Sequence, residues 1–200
     1  MYLFDNYYTI SEIMHMVYST IITRLFYPRA LLIRRPFYLR GKPRVSFGSG
    51  FTTGYGCRIE AFGNGKLDKH VRIRIGENCH LGDQVHIAAA NSVSIGENCL
   101  FASKVFISDL SHGSLSPINP SAPDSDPNSR PLVSKPVVIG DNVWLGENVC
   151  VLSGATIGNG SIVGANAVVT HDIPDGCVAA GVPASVIKRY DVETRQWLRL

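Results

Sequence analysis

Residues 139–173 read IGDNVW LGENVC VLSGAT IGNGSI VGANAV VTHDI, and this stretch decides the fold. An aliphatic residue returns at every sixth position: Ile139, Leu145, Val151, Ile157, Val163 and Val169. No helix has a period of six residues, and a plain strand alternates with period two. A return of six is typical of short strands joined by tight turns, with one inward side chain per strand. The pattern therefore predicts a parallel β-helix built from hexapeptide repeats.

The repeat extends towards the N-terminus, where an apolar residue returns at Ile75, Leu81, Ile87, Ile95, Phe101 and Ile107. The step from Ile87 to Ile95 is eight residues instead of six. Two residues are therefore inserted at Asn91-Ser92, which predicts a bulged turn there. Residues 45–65 are rich in glycine, and we interpret them as degenerate first coils because glycine supplies the backbone freedom of tight turns.

These patterns predict one all-β domain with flanking segments. The β-helix covers residues 41–183, an apolar and basic helical segment precedes it at 1–40, and an amphipathic helix follows it at 184–200. Residues 113–137 contain six prolines. Proline cannot donate a hydrogen bond within a central strand, so this stretch is predicted to leave the coil as a protruding loop.

The N-terminal segment allows two interpretations. Ser11 can cap a helix that runs to about Tyr27 and stops at Pro28. Arginines interrupt the apolar residues, so no stretch is long enough to span a membrane. The helix either packs on the β-helix or a neighbouring subunit, or lies at a membrane surface near a lipid-linked substrate. No signal peptide precedes it, so a cytoplasmic location is expected, with peripheral contact at the inner face of the membrane under the second interpretation.

Composition excludes some classes of protein. The formal net charge is only +3, which does not suggest a nucleic-acid partner. The five cysteines are an odd number without CxxC spacing. Cys79 and Cys99 occupy the small inward position of the repeat, and we predict that they are buried rather than bonded in a disulfide or to a metal.

The candidate chemistry lies where the repeat breaks, in the sequence SDLSHG at 108–113. A histidine beside a long loop on a rigid coil is well placed to act as a general base, because its ordinary pKa lies near neutral pH. His112 is that residue. The chain contains no P-loop, GxGxxG or HExxH motif.

Several motifs occur together in a fixed order. They are FISDLSHGS at 106–114, the proline-rich loop, KPVVIGDNVWLGENV at 135–149, GANAVVTHDIP at 164–174 and AAGVPASVIKRY at 179–190. In this order the chain resembles the hexapeptide-repeat acyltransferases over roughly residues 45–190. It looks most like the galactoside and maltose O-acetyltransferases and the O-acetyltransferases of surface-polysaccharide biosynthesis. The resemblance implies a left-handed parallel β-helix, an exception to the usual right-handed crossover. It also implies a homotrimer, with acetyl-CoA bound between neighbouring coils.

The resemblance assigns the catalytic role to His112, which follows Gly96 by sixteen residues. Its implied role is to take the proton from an acceptor hydroxyl, which then attacks the thioester directly while backbone N–H groups stabilise the oxyanion. Asp109 can hold the ring of His112, although a backbone carbonyl can do the same. No serine or cysteine nucleophile is required.

Other positions match cofactor and acceptor contacts of the family. The implied acetyl-CoA contacts are Trp144, Gly146, Gly164, Ala165, Thr170, His171, Ser185, Lys188 and Arg189. His171 replaces a lysine of relatives and carries less charge at neutral pH. Gly82 stands where relatives often carry an asparagine that binds the acceptor, and Asp83 and His86 are the substitute candidates. Their alternative interpretation is a solvated turn for Asp83 and a coil surface for His86.

The function implied is acetyl transfer from acetyl-CoA to a sugar hydroxyl in surface-polysaccharide biosynthesis, without a required metal. One alternative is another small acceptor, such as an antibiotic, serine or an amino sugar. A second is a zinc lyase of the carbonic anhydrase type, which needs three convergent histidines. His80, His86 and His112 are available, but their spacing does not look like that family. A non-catalytic scaffold is a third, and the presence of His112 and Trp144 argues against it.

Overall fold

The computed structural model describes residues 8–63 and 68–200. Successive short strands join three parallel sheets in turn, here called A, B and C, so that each full coil contributes one strand to each sheet. The parallel β-helix expected from the six-residue repeat is therefore confirmed. Sheet A comprises β1 (Leu32–Ile33), β4 (Thr52–Thr53), β7 (His80–Leu81), β10 (Leu100–Phe101), β15 (Trp144–Leu145), β18 (Ile162–Val163), β20 (Cys177–Ala180), β21 (Ser185–Asp191) and β22 (Gln196–Arg199). Sheet B comprises β2 (Phe37–Arg40), β5 (Cys57–Ala61), β8 (His86–Ala89), β11 (Phe106–Ser108), β16 (Cys150–Val151) and β19 (Val168–Val169). Sheet C comprises β3 (Val45–Phe47), β6 (Ile73–Ile75), β9 (Val93–Ile95), β14 (Val137–Ile139) and β17 (Thr156–Ile157).

The core consists of columns of side chains, and each column is formed by equivalent positions in successive coils. In sheet B, one column joins Ile59, Ile87, Ile107, Val151 and Val169 in direct register. All five side chains are fully buried. Burial of aliphatic side chains in this way stabilises the folded state by about 25 cal/mol for each Å² of apolar surface removed from water. The six-residue return thus marks the side chains that point into the centre.

The turns between strands stack as closely as the strands do. Asparagines take the left-handed backbone conformation at several corners, including Asn78, Asn98, Asn142 and Asn148, which asparagine tolerates better than most residues. Side-chain oxygens at the corners also bond the adjacent coil. Asp141 accepts the N–H of Glu97 at 2.8 Å, and Asn159 accepts the N–H of Asp141 at 2.8 Å. These bonds satisfy backbone groups that the strands do not.

The N-terminal helix α1 spans Ile10–Phe26, and its N-cap residue is Thr9 instead of Ser11. Thr9 and Glu12 form a capping box, in which each side chain bonds the other's backbone N–H. This reciprocal pair satisfies two N–H groups, so Thr9 caps more effectively than Ser11 would. The helix ends directly before Tyr27, in agreement with the stop predicted at Pro28.

Helix α1 packs on the coil through its small polar residues. Thr23 Oγ1 accepts the N–H of Ile33 at 2.9 Å, and Ser19 Oγ accepts the N–H of Arg35 at 3.3 Å. Both side chains are buried, whereas Met14, Val17, Ile21 and Leu25 lie exposed on other faces of the helix. The helix therefore covers the first coil with polar atoms and presents apolar side chains outward.

The predicted boundary at residue 40 is placed too late, because coil strands begin at Leu32. Strand β1 pairs in parallel with β4, and β2 pairs in parallel with β5. The sequence before Val45 lacks the six-residue repeat and its glycines, so its periodicity did not predict these strands. The N-terminal segment is thus a helix followed by two strands of the first coil.

The prediction of a C-terminal helix at 184–200 is wrong. Residues 185–199 form an antiparallel hairpin, β21 and β22, that extends sheet A beyond β20. Strand β20 would otherwise be an open edge with unpaired backbone groups. The cross-strand pair Tyr190–Trp197 packs with ring centroids 5.3 Å apart, and Asp191 accepts the N–H of Thr194 in the turn. The apolar residues fit helical spacing equally well, but pairing with the open edge decides the structure.

The proline-rich stretch leaves the coil as predicted, but it is closed at its base. Strand β12 (Leu110–His112) pairs antiparallel with β13 (Leu132–Ser134), so residues 113–131 form the protruding part, which includes a short 3₁₀-helix at Pro127–Ser129. The two strands are here called the ribbon. Residues 132–137, predicted as loop, therefore belong to the ribbon and to the return into sheet C.

The predicted burial of Cys79 and Cys99 is confirmed, and Cys57 and Cys177 are buried as well. Burial raises the pKa of the Cys57 thiol to about 11. This thiol is therefore a weak nucleophile at neutral pH, because the thiolate is the reactive form.

The stacking of turns makes a testable prediction. A Cβ added at Gly76 would lie 2.6 Å from the carbonyl carbon of Gly96, whereas a Cβ at Gly160 would meet nothing within 4 Å. We expect Gly76→Ala to lower the free energy of unfolding by about 2–3 kcal/mol, because two backbones are forced apart. The matched control Gly160→Ala has only its positive φ to accommodate and should cost about 1 kcal/mol. Denaturant titration measures both, and equal losses would contradict the stacking argument.

Candidate active site

The candidate base His112 is the last residue of β12, where the chain has left sheet B and has not yet entered sheet C. Its side chain is exposed. In the ribbon, His112 pairs with Leu132, and Leu110 pairs with Ser134. Cross-strand partners lie on the same face of an antiparallel pair, so His112, Leu110, Leu132 and Ser134 share one face.

The two faces of the ribbon border two different cavities. Leu132 and Ser134 line a cavity of about 740 Å³, and their partner His112 is on the same face. Ser111 and Val133, on the opposite face, line a cavity of about 530 Å³ that reaches into the loop. His112 therefore belongs to the side of the larger cavity, which is wide enough for a sugar-sized ligand.

Asp109 does not hold the ring of His112, contrary to one of the two possibilities left open above. Its buried carboxylate accepts three backbone N–H groups, from Ala90 at 2.8 Å, Asn91 at 2.7 Å and Ser92 at 2.7 Å. These are the residues of the inserted turn predicted at Asn91-Ser92. The extra residues leave the regular ladder, and the carboxylate replaces the lost backbone partners.

The backbone carbonyl of Asp109 also accepts two hydrogen bonds. It accepts the N–H of Lys135 at 2.9 Å and the hydroxyl of Ser153 at 2.7 Å. Lys135 follows the ribbon directly, and Ser153 lies on the next coil. Asp109 thus joins the inserted turn, the base of the ribbon and the adjacent coil.

The predicted cofactor residue Trp144 lies on sheet A, paired with Leu100 on one side and Ile162 on the other. About half of its side chain is exposed, as is Leu100. Gly146, Gly164 and Ala165 follow at the corner between sheets A and B. Together they form an apolar strip of the kind that suits the pantetheine arm of coenzyme A.

The glycines of this strip also have a packing role. A Cβ at Gly146 would lie 2.6 Å from the backbone nitrogen of Ala165 on the next coil. A Cβ at Gly164 would lie 3.2 Å from the Cβ of Ala180. Coil stacking alone therefore accounts for Gly146, whatever it contacts in a complex.

The remaining cofactor candidates lie elsewhere. Thr170 and His171 occupy the corner after sheet B, where Thr170 Oγ1 and His171 Nδ1 are 2.7 Å apart. Ser185, Lys188 and Arg189 are exposed on β21 at the end of sheet A. They lie on a strand instead of the predicted helix, so Lys188 and Arg189, as neighbours in a strand, point to opposite faces.

One chain does not bring His112 and Trp144 together. The ribbon projects from the corner between sheets B and C, and Trp144 lies on sheet A, which is the side of the three-sided coil opposite that corner. The candidate base and the predicted cofactor strip are thus separated by the width of the core. A site that uses both needs a second copy of the chain.

The acceptor candidates have structural contacts of their own. Asp83 accepts the N–H of Tyr55 at 2.7 Å, as expected for a residue that stacks turns. Gly82 lies directly over Ser103, with 2.6 Å from its added Cβ to the backbone nitrogen. His86 is partly exposed on sheet B, where it contacts the ring of Phe106 and lies 3.1 Å from Glu60.

Glu60 is a buried carboxylate that the sequence did not single out. Burial raises the pKa of Glu60, but hydrogen bonds from Arg58 and His86 lower it by more, so the net pKa lies below its ordinary value. Arg58 contacts it at 2.6 Å. A charged Glu60 fixes one ring nitrogen of His86 and orients that ring on the surface of the coil.

Sequence reasoning also missed the basic wall of the larger cavity, formed by Arg40, Arg44 and Arg72 with Asp68. These residues lie at the ends of the first coils, outside the clear repeats. The sequence feature that they share is a charged residue beside an otherwise apolar strand. This feature is too general to identify a site.

No metal centre is evident in the part of the chain that the structure describes. Among residues 8–63 and 68–200, no three His, Cys, Asp or Glu side chains are grouped as metal ligands. His80 lies on sheet A, His86 on sheet B and His112 on the ribbon. Within a single chain, these three histidines thus do not come together as the zinc-lyase alternative requires.

Comparison with known proteins adds independent findings. Residues 136–171 match the family model described as bacterial transferase hexapeptide (six repeats), and residues 72–100 match the model for the hexapeptide repeat of succinyl-transferase. The chain is 47% identical over 191 residues to WbbJ of Escherichia coli (strain K12), named as an O-acetyl transferase of lipopolysaccharide biosynthesis; the match covers 95% of this chain and 94% of that protein. It is 39% identical to the galactoside O-acetyltransferase of the same organism over 58% of this chain and 53% of that protein.

Solved structures agree with these matches. A galactoside acetyltransferase in complex with coenzyme A superposes with a TM-score of 0.53 at 25% identity, covering 98% of this chain and 82% of that one. AntD, an N-acyltransferase from Bacillus cereus, superposes with a TM-score of 0.65 over 83% and 82% of the two chains. Its identity is 16%, so this likeness concerns the fold alone.

The contacts of Asp109 lead to a prediction that separates positioning from catalysis. Asp109→Asn replaces one acceptor oxygen by an N–H₂ group that faces a backbone donor. We expect the free energy of unfolding to fall by about 2–3 kcal/mol, because charge-assisted bonds to a buried group are lost. The kcat of the folded enzyme should fall by less than about tenfold. A stable variant with a kcat lowered by more than a hundredfold would instead indicate that Asp109 assists His112 directly.

Proposed function

Because this chain belongs to the bacterial hexapeptide-repeat acyltransferases, we propose that it transfers the acetyl group of acetyl-CoA to a sugar hydroxyl during the synthesis of a surface polysaccharide. The observation that carries the proposal is the similarity, along almost the entire chain, to an O-acetyl transferase of lipopolysaccharide biosynthesis. The galactoside acetyltransferase complex supports coenzyme A as the acyl carrier. The coil is left-handed in this proposal, as the resemblance to the family implies.

In the reaction we propose, His112 accepts the proton of the acceptor hydroxyl as the oxygen attacks the thioester carbon. The carbon–oxygen bond forms, the carbon–sulfur bond breaks, and His112 returns the proton to the departing sulfur. The exposure of His112 on an anchored ribbon supports this role, since a base must reach a hydroxyl carried by a large substrate. The Cys57 thiol, with its raised pKa, is buried and unsuited to a covalent route.

Trp144 and the adjacent corner would hold the pantetheine arm, and they do so in a neighbouring copy of the chain. The support is the position of Trp144 on the side of the coil opposite the corner that carries His112. A closed ring of copies lets each ribbon meet the sheet A of its neighbour, and three copies are what the family resemblance implies. The active enzyme is therefore a homotrimer in this proposal, with its sites between subunits.

Helix α1 supports a location at the cytoplasmic face of the cell membrane. In the described residues, no helix is long and apolar enough to cross a bilayer. Exposed apolar side chains on α1 and the basic residues Arg24 and Arg29 are suited to shallow contact with an anionic surface. Such contact brings the enzyme to lipid-linked sugars as well as to acetyl-CoA in the cytoplasm.

The first test is the substitution His112→Ala. We expect normal folding and a loss of about 10²–10⁴ in kcat, because general base catalysis contributes that much. Acetyl transfer is measured with acetyl-CoA and a panel of polysaccharide and oligosaccharide acceptors, followed by mass spectrometry of the product. Turnover close to that of the unchanged enzyme would contradict the role of His112, and the absence of transfer to any sugar by the unchanged enzyme would contradict the proposed function.

A mixture of two inactive variants tests the site between subunits. Co-assembled His112→Ala and Trp144→Ala chains should regain activity at about a quarter of the sites, because some interfaces receive an intact His112 and an intact Trp144. Each variant assembled alone is the control. Recovery is measured as acetyl transfer per trimer at saturating acceptor. A mixture no more active than its two components would show that both residues serve a site within one chain.

The surface role of α1 is tested by polar substitution rather than by deletion, since removing residues 1–38 would also remove β1 and part of β2. Val17→Gln, Ile21→Gln and Leu25→Gln change side chains that are 49%, 54% and 68% exposed. Each buried methylene contributes about 0.8 kcal/mol to lipid binding, so the triple variant should lose most binding to anionic vesicles in a pelleting assay. If it pellets as well as the unchanged protein, the surface role is wrong; if it changes oligomeric state instead, α1 packs between subunits.

A further inference from the structure

The larger cavity beside the ribbon is strongly basic. Among the described residues, its charged lining residues are Arg40, Arg44, Arg72 and Asp68, so guanidinium groups predominate. The cavity has a volume of about 740 Å³, enough for a sugar with a phosphate or diphosphate group. Its other lining residues include Phe62, Leu132 and Ser134.

Asp68 contacts two of these arginines. Arg72 Nη2 contacts Asp68 at 2.7 Å and Arg44 Nε lies 3.7 Å from the same carboxylate. Arg72 Nη1 donates to the carbonyl of Ala90. The Nε of Arg72 is buried, and among the described residues it has no hydrogen-bond partner. A buried N–H without an acceptor favours a site that an anion completes.

Arg40 is the most exposed of the three arginines. Its side chain is 58% exposed, and it lies over the ring of Phe62 with its carbon Cζ 5.0 Å from the ring centroid. Its ion pair with Glu60 is long, at 3.8 Å, whereas Arg58 contacts Glu60 at 2.6 Å. Because Arg58 already neutralises Glu60, Arg40 is free to turn its donors towards a ligand in the cavity.

The basic wall is connected to the ribbon through a short series of bonds. Arg72 donates to the carbonyl of Ala90, and the N–H of Ala90 donates to Asp109 at 2.8 Å. Asp109 immediately precedes β12, which ends at His112. The face of the ribbon that carries His112 also borders this cavity through Leu132. An anion on the arginines is thereby held at a defined place relative to the base.

We propose that this cavity binds a phosphate-linked acceptor, with the diphosphate or phosphodiester group on Arg40, Arg44 and Arg72 and the sugar hydroxyl directed to His112. This inference rests on the function proposed above and specifies its substrate class. Three guanidinium groups suit the several oxygens of a sugar diphosphate better than the single carboxylate of an acidic sugar. Guanidinium groups bind phosphate oxygens in pairs with good geometry.

Two sources supply this chemistry: a sugar on a lipid diphosphate and a sugar on a nucleoside diphosphate. Both present the same diphosphate one bond away from the sugar, so the cavity recognises their shared part. Acceptors of both kinds are therefore compared with the methyl glycoside of the same sugar, which has no phosphate.

The activity test uses three variants of the full chain. Arg40→Gln removes a cavity charge and Arg40→Lys keeps it. Arg74→Gln is the matched control, since Arg74 is an exposed arginine on β6 that does not line the cavity. We expect Arg40→Gln to lower kcat/KM for diphosphate acceptors by about 10- to 100-fold, mainly through KM, because a hydrogen bond to a charged group is lost. Arg40→Lys should recover part of the loss, and Arg74→Gln should stay within about threefold of the unchanged enzyme.

A binding test does not depend on turnover. Pyrophosphate is titrated calorimetrically into enzyme saturated with coenzyme A, so that phosphate sites for the cofactor are already filled. The unchanged protein and Arg74→Gln should bind pyrophosphate with similar affinity, and Arg40→Gln should bind it about 10-fold more weakly.

The outcomes separate this inference from the proposed function. Acetyl transfer to methyl glycosides with no preference for diphosphate acceptors would overturn the inference and leave the function intact. No transfer to any sugar would overturn the function, and the pyrophosphate titration would still decide the site. Equal pyrophosphate affinity in Arg40→Gln and the unchanged protein would overturn the site in either case. A preference for one diphosphate source over the other identifies the natural carrier.

Discussion

Each coil of this protein has to lie directly on its neighbour, with almost no space between their turns, and everything else depends on this contact. Gly76, Gly82 and Gly146 have no room for a Cβ, because the backbone of the next coil lies where it would be. Corner oxygens such as that of Asp141 bond the adjacent turn at the same time. The result is a scaffold with few ways to deform, since side chains, strands and turns are all in register. Such a scaffold can present reactive groups in fixed positions on its surface.

One place where the stack is interrupted is also the place where the chemistry is expected. Two extra residues at the inserted turn and a long excursion leave the coil at neighbouring levels of one corner. Their backbone groups need partners, and the buried carboxylate of Asp109 supplies them through three short bonds. The same residue is bonded to Lys135 and Ser153 through its carbonyl. A structural repair of the coil therefore also anchors the ribbon that carries His112, which otherwise would belong to a flexible loop.

The three-sided coil places the candidate functional surfaces of one chain on different sides. His112 and the basic cavity lie beside one corner, and the exposed apolar strip around Trp144 lies on the opposite side. Helix α1 adds a third surface, since its buried contacts are the hydroxyls of Ser19 and Thr23 and its apolar side chains face outward. A rigid monomer cannot fold these surfaces onto one another. In the function proposed above, association of copies brings these surfaces together.

The sequence by itself determined the coil, because a side chain that must point inward once per strand leaves a six-residue period that neither a helix nor a plain strand produces. It also located His112 at the break in that period and Trp144 on a regular strand. Only the tertiary structure decided the rest. The role of Asp109 depends on backbone N–H groups seventeen to nineteen residues away, which have no sequence signature. The C-terminal hairpin depends on the open edge of β20, since residues 185–199 fit a helix equally well until that edge offers hydrogen bonds. Arg40, Arg44 and Arg72 become one wall only when successive coils stack, because stacking places residues distant in sequence about 4.8 Å apart.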